Sequence, residues 1–189
     1  VRVSGVERVV NQVAINERRL SDAALGSAQR DSNFFGRLDA ALGSPESSNS
    51  LTGRIAAFEA SIVVATASPE SQSQLGSVVT AAKNLTQSLN SASDTIREIR
   101  QETDHSIGQQ VDLINANLST IAELNNQIRT QSVSGFDTSA LKDQRQQLVD
   151  QISDLIPLKE IPRDHGRIAL ATPNGTLLVE DKAAQFGFT

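Results

Sequence analysis

Between Ser68-Pro69-Glu70 and Thr130 the sequence contains no further proline and carries one sustained apolar stripe. The stripe passes Leu75, Val78, Ala82, Leu85, Leu89, Ala92, Ile96 and Ile99 in alternating steps of three and four. It then takes steps of four through Thr103, Ile107 and Val111, and resumes the alternation at Ile114, Leu118, Ile121, Asn125 and Ile128. That spacing keeps one face of an α-helix apolar, and the extra residue near 103–107 is a stutter that locally unwinds a supercoil. Ser68 as N-cap, Pro69 at the first helical position and Glu70 in the first turn predict where the helix begins. Ser91 and Gly108 are its weakest positions.

A helix of about 60 residues is roughly 90 Å long at 1.5 Å per residue. A compact globule of this chain length would be only about 40 Å across. The expectation is therefore a rod. Composition agrees: hydrophobic residues are 38% and aromatics 3% of the 189, with no Trp, Tyr, Cys or Met. That supply suits helices packed narrowly through Leu, Ile, Val and Ala. Leu113, Leu124 and Val79 lie beside the stripe, which makes it wide enough for more than one neighbouring helix.

Before the long helix, a first helical segment is expected from about Ser4 to Leu42, with Val6, Val9, Val13, Leu20, Ala24, Phe34, Leu38 and Leu42 as its apolar positions. "GSPESSNS" (43–50) is a loop by composition, and residues 51–67 read as a short helix. After a turn at 132–139, another helix places Leu141, Leu148, Ile152 and Leu155 on one face and ends at Pro157. The period then shortens to that of strands, around Asp164-His165-Gly166 and the hairpin signal Asn174-Gly175. The fold class read here is mainly α: an elongated, rod-like helical bundle with one very long helix, followed by β-hairpins that begin a second β-rich domain. The corresponding boundaries are 1–157 for the helical bundle domain and 158–189 for the β-hairpin segment. The last residues show no clear closing element.

Chemistry is sparse. The net charge is −5 and the basic residues are scattered, so no stripe for nucleic acid forms. There is no apolar run long enough to span a bilayer. His105 and His165 lack a second ligand at useful spacing, so no metal site is expected and both read as surface residues. No glycine pair makes a dinucleotide or phosphate loop, and no nucleophile–base constellation emerges; no catalytic or cofactor-binding residue and no cofactor is assigned. Asp150 and Asp154 read as a solvated acidic face, and the pair Arg18-Arg19, flanked by Glu17 and Asp22, as another. The opening "VRVSGVERVV" has no secretory h-region and no initiator Met, as in a piece of a longer protein.

Asn125 is the informative polar residue, since it interrupts an aliphatic stripe. Either it is buried and fixes register, or it caps a frayed helix end near Thr130. Under the first reading, Asn125→Leu is expected to raise thermal stability. Asn115, Asn117 and Asn126 lie off the stripe and are expected to meet water or a neighbouring subunit.

Three stretches resemble the family of the flagellar hook-associated protein FlgK, a hook–filament junction protein. They are the opening "VRVSGVERVVNQ", residues 34–62, and the pair "INANLSTIAELNNQI" with "ALKDQRQQLVDQISDLI". The positions that match the family are Ile114, Asn115, Leu124, Asn125, Ile128, Leu141, Asp143, Gln144, Arg145, Leu148 and Ser153, while Lys142 and Gln146 depart from its pattern. The resemblance covers roughly the first 180 residues. It implies a non-enzymatic structural component of the bacterial flagellum, extracellular and exported through the flagellar apparatus without a cleaved signal. It also implies stacking as a ring between hook and filament. The implied partners are the hook protein, the second junction protein and, through a C-terminal region outside this sequence, an export chaperone. The reading from another class is a periplasmic helical-bundle sensor module of a chemoreceptor; the hairpins after Pro157 argue against it.

Overall fold

The computed structural model describes residues 11–188, which form four α-helices, one 3-10 turn and three strands. Helix α1 spans Gln12–Leu42, α2 Leu51–Ala67, α3 Gln72–Val133 and α4 Ser139–Ser153. Strands β1 (Lys159–Pro162), β2 (Ile168–Ala171) and β3 (Leu177–Val179) follow. The expected first residues of the opening helix, with Val6 and Val9, lie outside the described residues.

The helix ends follow local chemistry. Asn11 opens α1, accepting the Ala14 N–H on its side-chain oxygen at 3.2 Å. Ser50 caps α2 by accepting the Gly53 N–H at 3.0 Å. Gly53 is needed there, because a Cβ would sit 2.4 Å from the Ser47 carbonyl oxygen. The signal at Ser68-Pro69-Glu70 marks a boundary but starts α3 three residues too early. Ser68 instead closes α2, its N–H bonding Ala65 O, and Ser71 opens α3 by accepting the Gln74 N–H. The α3 helix is continuous through Ser91 and Gly108 over its 62 residues. It ends at Gly135, where the Phe136 N–H bonds Gln131 O and the Gly135 N–H bonds Ser132 O, a Schellman closure with Gly135 at φ 76.

The described chain gathers into two compact units. The first comprises residues 11–29 with 107–188, and the second Arg30–Ser106. In the first unit β1, β2 and β3 form an antiparallel meander, Glu160 opposite Leu170 and Leu170 opposite Val179, with an irregularity at Leu170/Ala171. Its core joins Ile114, Leu118 and Ile121 of α3 to Val149 and Ile152 of α4 and to Leu158, Ile168, Leu170, Leu178 and Val179. The residues from 158 onward thus share their core with helices α3 and α4. The second unit holds the end of α1, all of α2 and the start of α3, and its buried apolar residues are Ala65, Ala92 and Ile99.

Candidate functional site

The first unit carries a network of buried polar side chains on α1, α3 and α4, aimed at the strands. On α3, Asn125 is almost completely buried, well inside a helix that continues to Val133. Its Nδ2 donates to Ile168 O at 2.8 Å and its Oδ1 accepts the Ile168 N–H at 3.2 Å. The carboxamide therefore pairs with β2 as another strand's peptide would. Arg145 of α4 also donates to Asn125 Oδ1, at 2.8 Å, and to Gly166 O at 2.9 Å. The frayed-end reading of Asn125 falls, and so does the expected gain from Asn125→Leu. Leucine would orphan the Ile168 peptide group and remove an acceptor from a buried guanidinium.

Two further asparagines repeat the device. Asn115 Nδ2 donates to Phe186 O at 3.0 Å, and Asn115 Oδ1 accepts the Phe186 N–H at 2.8 Å. Asn16 of α1 does the same to Glu160 of β1, at 3.3 and 3.2 Å. Asn115 therefore faces the chain's own C-terminal segment rather than water. That segment is closed by this clip and by a bridge between Val179 and Ala183. Asn117 is also buried and donates to Gln151 of α4 at 3.0 Å, while Asn126 is exposed as expected.

Arg19 overturns its sequence reading most clearly. It is 0% exposed, donating through Nη1 to Glu160 Oε2 at 2.8 Å and through Nε to Asp150 Oδ1 at 2.9 Å. Arg18 reaches the same Asp150 oxygen at 3.1 Å. Asp150 is thus an ion-pair partner of α1 and not simply an acidic solvent face. Glu160 is itself nearly buried, so its charge is tied to Arg19. Desolvation pushes the Arg145 guanidinium pKa below its ordinary value, with the Glu160 charge opposing that shift. Arg145 stays cationic at any working pH.

Among the other family-pattern positions, Leu124 and Ile128 are buried on α3, Leu148 packs against the core, and Ser153 is buried with its hydroxyl on Asp150 O. Asp143 and Gln144 are exposed on α4, so only Arg145 of that trio turns inward. Sequence reasoning missed Asn16, Arg19 and Glu160. The available signal was spacing: Asn16, Arg19 and Ala23 lie three and four residues apart, and Ala23 is buried. The expected stripe was out of phase, since Val13 is 67% exposed. Both histidines are exposed. Among the described residues no cluster of His, Cys, Asp or Glu has the geometry to hold a metal ion, and no helix is long and apolar enough to cross a membrane.

This arrangement is a scaffold: hydrogen-bonding side chains lock helices to strands. Residues 35–187 match the family described as the flagellar hook-associated protein FlgK helical domain. The chain belongs to the FlgK family. The structure of the flagellar hook junction protein FlgK from Burkholderia pseudomallei is similar over 90% of this chain, with a TM-score of 0.79 and 22% identity. At that identity the likeness is one of fold. This chain corresponds to 30% of that protein's length. A comparison with curated protein sequences returns no match. Membership gives a flagellar hook-associated structural role and places the protein in the extracellular part of the flagellum.

Proposed function

We propose that the chain is the helical domain of a subunit that stacks between hook and filament, where it forms part of the junction. The observation that carries this reading is the second unit's uncovered apolar surface. Phe35 on α1, Val63 and Val64 on α2, and Leu75, Val79 and Leu89 on α3 are all exposed, although the same unit buries few apolar side chains. A contiguous patch of large apolar side chains marks a protein–protein contact, and these residues are the candidates for one. The first unit supplies a body with a shared helix–strand core, and the second unit, which buries few apolar side chains, supplies adhesive surface.

In this reading the neighbours are other copies in a ring, the hook protein on one side and the second junction protein on the other. Export runs through the flagellar apparatus without a cleaved signal, aided by a chaperone that holds a C-terminal region outside this sequence. The β segment from 158 is the attachment through which the chain continues into a β-rich domain. Family membership supports a structural role.

Deleting the parent gene in its source bacterium tests the proposal. Hooks without filaments, with unpolymerised flagellin in the medium and filaments restored by the gene, are the expected result. Normal filaments and swimming with no paralogue present would overturn it.

A further inference from the structure

The hairpin between β2 and β3 carries the one Asn-Gly pair of the sequence, Asn174-Gly175. Such a pair is chemically reactive as well as turn-forming. The main-chain nitrogen that follows an asparagine is a nucleophile within reach of the side-chain carbonyl carbon. Glycine leaves that nitrogen uncrowded and its backbone free to rotate. The asparagines of α1 and α3 are protected from this attack. In a helix the next N–H is committed along the axis to a carbonyl, and the side chain points away from it. Outside the helices, among the described residues, stand Asn11, Asn49 and Asn174. Asn11 precedes Gln12 and Asn49 precedes Ser50, and each carboxamide oxygen is already held, by the Ala14 N–H and by Arg54. Asn174 is the one that precedes glycine.

The local geometry suits the reaction. Asn174 and Gly175 are both exposed. Gly175 sits at φ 91, and no atom lies within 4 Å of the place a Cβ would take, so a ring can close there without a clash. Asn174 Oδ1 accepts the Thr172 hydroxyl and, at 3.5 Å, the Thr176 hydroxyl. Donors aimed at a carbonyl oxygen stabilise the negative charge that grows on it when a nucleophile adds. One contact opposes attack: the Gly175 N–H donates to Thr172 O at 2.9 Å. Such a bond is worth about 0.5–1.5 kcal/mol net, which slows the reaction by about tenfold at most. The route stays open.

We propose that Asn174 is a modification site, deamidating spontaneously with water as the only co-reactant. The Gly175 nitrogen gives its proton to solvent and bonds to Asn174 Cγ. The bond from Cγ to the side-chain nitrogen breaks, and that nitrogen leaves as ammonia, taking a proton from water. The product is a succinimide ring. Water then adds to either ring carbonyl and opens it, giving aspartate or isoaspartate, with no change of oxidation state. Both products add a negative charge. Isoaspartate also lengthens the backbone of a turn that the Thr172 N–H closes on Thr176 O at 2.9 Å. Directly after that turn, β3 supplies Leu178 and Val179 to the core of the first unit.

The test is to age the full chain in mildly alkaline buffer, native and unfolded in urea, and to map its peptides by mass spectrometry. In the native sample the peptide holding Asn174 is expected to exchange NH for O in mass and to divide into aspartate and isoaspartate forms. The peptides holding Asn115 and Asn125 are expected to stay unchanged over the same time. Gly175→Ala is expected to slow the conversion by about tenfold or more, which is 1.36 kcal/mol of barrier for each factor of ten. That comparison is made in the unfolded chain, so that strain from a Cβ at this φ does not enter. Conversion in urea with none in the native chain overturns the proposal, because the hairpin then shields the site. Equal conversion of another asparagine in the native chain, or an unchanged rate in Gly175→Ala, overturns it too.

Discussion

Helix α3 runs through two environments, and the same residue type has opposite fates in them. Leu118, in the first unit, is 0% exposed between α4 and the strands. Leu89, on the same sequence stripe in the second unit, is 48% exposed. The stripe is equally regular at both points, so periodicity identifies a helix face without saying what covers it. What covers it at Leu118 is a sheet, held by asparagine clips and a buried arginine. At Leu89 the described residues leave it uncovered, as a surface for assembly would be.

The strongest way to break this contrast is Arg19→Ala. Removing the guanidinium strands Glu160 nearly buried and Asp150 without one of its arginines, at a cost of about 3–5 kcal/mol. Urea denaturation of the first unit should show it, and an unchanged midpoint would mean the ion pair is not structural. The paired truncations Leu118→Ala and Leu89→Ala sharpen the comparison within one helix. The first is expected to cost about 2–5 kcal/mol as a core cavity, the second to stay within about 0.5 kcal/mol of wild type. Equal losses in thermal unfolding would mean that Leu89 is as covered as Leu118.

Asn125→Leu tests whether the clips matter as much as the apolar core. About 1–3 kcal/mol of destabilisation is expected for the orphaned buried groups, read as a lower melting temperature. A rise would restore the view of Asn125 as a polar intruder in a helix seam. The smallest effect concerns Asp137, which accepts the Ser139 N–H and hydroxyl just before α4. Those bonds hold its carboxyl below the ordinary 3.8, the side-chain bond first. A depressed carboxyl contributes its stability in full above pH about 4 and loses it as the pH falls through the folded value. Asp137→Asn should flatten that acid limb, with α4 fraying followed by amide exchange.

The sequence made the helices legible because their cause is local. A proline-free run, steps of three and four, and a turn around Gly135 predict one long helix without reference to anything distant, and the helix found is Gln72–Val133. The hairpin at Asn174-Gly175 was equally readable, with Gly175 at φ 91 beside a Thr172–Thr176 pairing. The phase of α1 was not. Asn16 and Arg19 turn inward because β1 offers them a peptide group and a carboxylate, and those lie more than 140 residues away.

The sequence by itself determined the helical architecture, the strands that follow and the absence of the usual catalytic signatures, since each rests on spacing and residue type. Tertiary structure alone decided which polar residues are buried. A carboxamide or a guanidinium is indifferent between water and a buried partner until folding brings that partner to it, and for Asn125, Asn16 and Arg19 the partner is a strand.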